Sequence, residues 1–77
     1  MDISLADVTL HVDEELDAEA RGKLEEAFRS REGVVSVHNA DSKPHLWVLE
    51  FDPAAVHARD LLSIVAFQGL HGELVGL

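Results

Sequence analysis

The side chains able to ligate a cation or move a proton are five histidines and fifteen acids. His11 stands in an alternating run, Asp13 follows it by two positions, and His71 lies near the other end of the sequence. Neutral imidazole combined with carboxylate suits divalent ions of borderline softness, Zn²⁺, Ni²⁺ or Cu²⁺. If the first and last strands pair, His11, Asp13 and His71, with Glu73 as a further donor, would hold such an ion weakly. The alternative is a set of unrelated surface histidines, since none shows the i, i+4 helical spacing of a strong metal site. A second candidate is the acidic run Asp13, Glu14, Glu15, Asp17 and Glu19. It suits a hard cation or a basic partner, or it is a solvated helix start that complements the helix dipole. It lacks the alternating acids around a central glycine that mark a calcium loop. There is no cysteine, which excludes disulfides, thiolate metal sites and cysteine nucleophiles. No serine sits in a nucleophile elbow and no glycine-rich phosphate loop exists, so catalysis is not expected.

These residues must be positioned by regular elements. Val8, Leu10 and Val12 alternate with Thr9 and His11, the period of a half-buried strand. Asp17 is placed to cap a helix whose apolar stripe is Ala20, Leu24, Ala27 and Phe28. Gly33 follows that helix as a stop, and Val35 and Val37 continue as a second strand. The stretch 39–44 is a turn by composition. Trp47, Leu49 and Phe51 alternate as a third strand, ended by Asp52-Pro53. A second helix is expected over about 54–68, with Val56, Leu61, Leu62 and Val65 on its apolar side. Gly69 stops it, and 70–77 is the last strand.

Two helices in this order cover one face of a four-stranded antiparallel sheet, the ferredoxin-like βαββαβ sandwich of the α+β class. The inward set is Val8, Leu10, Val12, Val35, Val37, Trp47, Leu49 and Phe51. The uncovered face carries Thr9, His11, Ser36, His38, Leu46, Val48 and Glu50. His11 and His38 are expected about two strand spacings apart, ~10 Å, too far for one ion to bridge. His38, Leu46 and Val48, with the unguarded edge at Val34 and Val35, form the candidate surface for a partner or a second copy.

A chain of 77 residues fits one domain with a small core. The net charge of −9, from 15 acids against 6 bases, repels phosphate backbones and anionic membrane surfaces and favours cations or basic partners. No apolar run approaches the ~20 residues of a membrane span, and Asp2 stands where a signal peptide carries positive charge. A cytoplasmic protein is expected.

The scaffold resembles the heavy-metal-associated domain of copper chaperones and metal-pumping ATPases. The resemblance runs from about Val8 to Leu74. It rests on Leu24 and Phe28 followed by Gly33-Val34, on Val37, on Phe51-Asp52-Pro53, and on Val56, Leu61, Val65 and Gly69-Leu70. It implies this fold, ancestry among metal-handling domains and a partner-binding surface, and does not imply retained metal binding. That family grips soft metals with a Cys-x-x-Cys pair after the first strand, and the matching positions here are Asp17 and Ala20. Carboxylates are hard donors, so the thiolate site is absent and a metal-free interaction or homodimerisation module is the competing reading.

Overall fold

The computed structural model describes residues 4–75. The order of elements is β1 (Ala6–Val12), α1 (Ala18–Arg29), β2 (Val34–His38), β3 (Leu46–Phe51), α2 (Ala58–Phe67) and β4 (Gly72–Val75). The strands form one antiparallel sheet in the order β2-β3-β1-β4, the ferredoxin-like arrangement expected. The expected last strand is shorter, and positions 76 and 77 lie outside the described residues.

Alternation in β1 sends Val8, Leu10 and Val12 inward, where Leu10 faces Trp47 across one ladder and Leu74 across the other. Leu24 and Phe28 of α1 and Leu61 and Val65 of α2 close over them. Phe28 and Trp47 meet as a tilted aromatic pair with centroids 5.7 Å apart. Among the described residues, every fully buried side chain of the core is apolar.

Two expectations are corrected. Val35 is 54% exposed, not inward. The β2–β3 pairing passes from Val34↔Phe51 to Ser36↔Glu50 through a bulge, so Val35 is the extra residue, turned out of the core. Val34 takes the inward place instead. The second helix begins at Ala58, not near Ala54. Asp52 captures the preceding stretch: its carboxylate accepts from the Ala54 N–H at 2.9 Å, and its carbonyl accepts from Ala55 and Val56, each at 3.0 Å. That folds 52–56 into a tight turn and buries Val56 beside the helix. His57 then stands at the N-cap, its backbone N–H donating to Asp60 Oδ2 at 2.9 Å. This bond holds the Asp60 carboxyl below its usual range, helped by the Arg31 guanidinium.

Gly33 joins α1 to β2 with φ of 100°, and a Cβ there would lie 2.9 Å from Ala55 Cβ. Gly22 is different. It lies inside α1, and a Cβ there meets nothing within 4 Å. Glycine in a helix interior costs up to about 1 kcal/mol relative to alanine. Denaturant unfolding should therefore find Gly22→Ala more stable by about 0.5–1 kcal/mol. Gly33→Ala should be less stable by about 1–3 kcal/mol, because both φ and space oppose the methyl group.

Candidate metal centre

His11 and Asp13 flank Val12, the buried last residue of β1. The pairing with β4 sets Glu73 directly across from His11. His11 Nδ1 lies 3.1 Å from Asp13 Oδ1 and 4.0 Å from Glu73 Oε1. One donor atom from each of the three lies within 4.8 Å of the others. Two ligands sharing an ion at bond lengths of ~2.0–2.2 Å stand about 2.8–3.6 Å apart at right to tetrahedral angles. The His11–Asp13 separation already fits that chord. Glu73, with a side chain 70% exposed, reaches it by a small side-chain adjustment.

His71 is not part of this group. It precedes β4, so Glu73 occupies the place across from His11 that was expected for His71. Glu14 holds His71 instead. Its Oε1 accepts the His71 backbone N–H at 2.8 Å, and its Oε2 lies 2.5 Å from His71 Nδ1. The backbone of Asp13 donates to the His71 carbonyl at 2.9 Å, closing a clasp between the segments after β1 and before β4. The clasp lowers the Glu14 pKa, first through the His71 backbone N–H and then through its ring. It raises that of His71, first through the side-chain hydrogen bond to Glu14 and then through that carboxylate's charge.

The acidic run is thereby divided among separate tasks. Asp17 caps α1 as expected, accepting from the Ala20 N–H at 2.8 Å. Glu19 lies 3.6 Å from Lys23 along α1. Asp13 joins His11, and Glu14 joins His71. The two positions matching the thiolate pair, Asp17 and Ala20, are therefore bonded to each other at the helix start, outside the three-residue cluster.

One partner was missed from sequence. His45 stacks on His11 with ring centroids 5.5 Å apart and planes 17° apart. Its Nδ1 lies 2.7 Å from the Val12 carbonyl. A neutral His45 thus carries its proton on Nδ1 and steadies the His11 ring by contact. Only the register Leu46↔His11 brings His45 here, and turn composition does not reveal that register. His38 pairs with Val48, with β3 between it and β1, so it stands apart from His11 as expected. Leu46 is half-buried and Val48 exposed on the face no helix covers.

No protein-family model matches the sequence, and no curated protein matches it. The fold does have close counterparts among solved structures. Oxidized MerP from Ralstonia metallidurans CH34 superimposes with a TM-score of 0.84 at 22% identity, covering 95% of this chain and 100% of that one. A copper-binding domain from HMA7, a P-type ATPase, gives 0.82 at 20% identity over 91% and 93%. The N-terminal domain of a potential copper-translocating P-type ATPase from Bacillus subtilis, in its Cu(I)-loaded state, gives 0.84 at 18% identity over 95% and 90%. The chain has the fold of heavy-metal-associated domains. Among the described residues no helix is long and apolar enough to cross a membrane.

The Glu14–His71 clasp gives a pH prediction. The Glu14 contribution is complete above that group's ordinary pKa of 4.5 and fades as pH falls through its lowered value. The His71 contribution is complete below its ordinary 6.5 and fades as pH rises through its raised value. The clasp is thus strongest between those two pH values. An NMR titration should find His71 changing protonation above pH 6.5, and Glu14→Gln should return it toward 6.5.

Proposed function

We propose that this is a non-catalytic binding domain of the metal-handling kind that holds one divalent ion of borderline softness, Zn²⁺, Ni²⁺ or Cu²⁺, weakly and reversibly. The observation that carries the reading is the convergence of His11, Asp13 and Glu73 donor atoms within 4.8 Å at the open end of β1. One imidazole and two carboxylates favour such ions over soft monovalent copper, which is best served by sulfur. Every donor is partly or fully exposed, so an ion there keeps water in its remaining positions. Binding uses the Nδ1 lone pair of the Nε2–H tautomer of His11, so the imidazole proton moves from Nδ1 to Nε2 and the hydrogen bond to Asp13 is replaced by ligation. Protons compete with the ion in acid. The fold supports the metal-handling class, because its structural counterparts include copper-binding domains.

The second reading is a protein-interaction module, supported by Val35, Val48 and Val75 exposed at 54%, 40% and 38%. Val35 lies on an edge strand, and the charge of −9 favours a basic partner over a second copy. It would use the open sheet face or the acidic helix start and ignore metal.

Calorimetric titration at neutral pH separates the two. One-to-one saturation by Zn²⁺, Ni²⁺ or Cu²⁺ below about 1 mM is expected. It should be lost in His11→Ala and weakened about tenfold or more in Glu73→Gln. Binding that survives His11→Ala, or no saturation in that range, contradicts the proposal. Saturable binding of a lysine-rich peptide that ignores both chelator and His11→Ala would favour the second reading.

A further inference from the structure

Away from the His11 cluster, one buried side-chain donor has no hydrogen-bond partner among the described residues. It is the indole Nε1–H of Trp47, the single tryptophan of the chain. Trp47 is 1% exposed. Buried donors are nearly always paired, so an unpaired one points to something that satisfies it.

Trp47 lines an open cleft of about 150 Å³ together with Ala18, Arg21, Gly22, Glu25 and Asn39. Ala18 and Gly22 stand one turn apart on α1, and their small size leaves the cleft open. Neither backbone conformation nor a crowded neighbour requires glycine at position 22. Arg21 is already oriented: its Nε donates to Asn39 Oδ1 at 2.7 Å and its Nη2 lies 3.0 Å from Asp41 Oδ1. Asn39 is fixed in turn by donating to the carbonyls of Pro44 at 3.0 Å and Leu46 at 2.7 Å. The Asp41 side chain is 97% exposed, so its pair with Arg21 is weak and exchangeable.

We propose that this cleft is a binding site for a small monocarboxylate, which takes the guanidinium N–H groups of Arg21 in place of Asp41 and accepts the Trp47 indole N–H. The donor set fixes the class. Indole is a donor only, so the occupant brings an acceptor, and a guanidinium fork matches a planar carboxylate. The volume exceeds the roughly 30 Å³ share of one water and admits acids of acetate to lactate size. Glu25 on the wall and the net charge of −9 disfavour multiply charged anions such as phosphate. The Nε1 atom has less than 1 Å² exposed, so entry requires side-chain movement, and Asp41, its side chain 97% exposed, is the partner that gives way. The site is independent of the metal reading.

A single tryptophan gives a single indole cross-peak in a ¹H–¹⁵N spectrum of the labelled protein. Titration with sodium acetate and sodium lactate at constant ionic strength should move that peak saturably. Chloride and phosphate should leave it in place. Gly22→Leu, which fills the cleft and raises helix propensity, should keep a folded spectrum and abolish the response. Arg21→Gln should weaken it about tenfold or more. An indole peak that ignores both carboxylates, moves equally with chloride, or responds unchanged in Gly22→Leu overturns the proposal.

Discussion

The position of β1 is the constraint on which the rest depends. It lies between β3 and β4, and its residues Thr9, Leu10 and His11 are each paired on both sides. Leu10 and Val12 have no exposed surface, and a slip of one residue would expose them and bury His11 and Thr9. The same alternation that builds the core therefore presents His11 on the open face, with Leu46 on one side and Glu73 on the other. The clasp of Glu14 on His71 then ties the segments leaving β1 and entering β4, close to the carboxylates of Asp13 and Glu73. Packing, register and the candidate ligand set are three consequences of one strand.

The chemistry of the helix start differs from that of a thiolate site for a local reason. At position 17 a carboxylate caps α1, and at position 20 a methyl side chain follows, its backbone N–H bonded to that cap. An aspartate N-cap stabilises the first turn by about 0.5–2 kcal/mol relative to alanine, so this segment is organised to hold the helix. The donor atoms of His11, Asp13 and Glu73 converge instead at the strand ends. His45, hydrogen-bonded through Nδ1 to the Val12 carbonyl and stacked on His11, is the neighbour that steadies the imidazole there.

Much of this was legible in the sequence. The alternation of 8, 10 and 12 and of 47, 49 and 51 fixed the inward faces of β1 and β3, and the stripe of Leu24 and Phe28 fixed that of α1. Val35 was misplaced because a bulge shifts the alternation without a residue signature of its own. The start of α2 was misplaced because Val56 fits the helical stripe and the Asp52 turn equally well, and only the hydrogen bonds of Asp52 choose between them. In the candidate site, the two-residue spacing of His11 and Asp13 at the end of β1 is what brings their side chains together. That Glu73, expected only as a further donor, rather than His71 stands across from His11 is set by the β1–β4 register, which sequence spacing does not reveal. The stacking of His45 depends on the β1–β3 register in the same way.

The most direct test of the central claim is to add substoichiometric Cu²⁺ to ¹⁵N-labelled protein at neutral pH and map which backbone resonances broaden. Broadening centred on His11, Asp13 and Glu73, reversed by chelator and absent in His11→Ala, is the predicted result. Broadening centred on the helix start around Asp17 and Glu19, or spread over exposed acids without a centre, would contradict it.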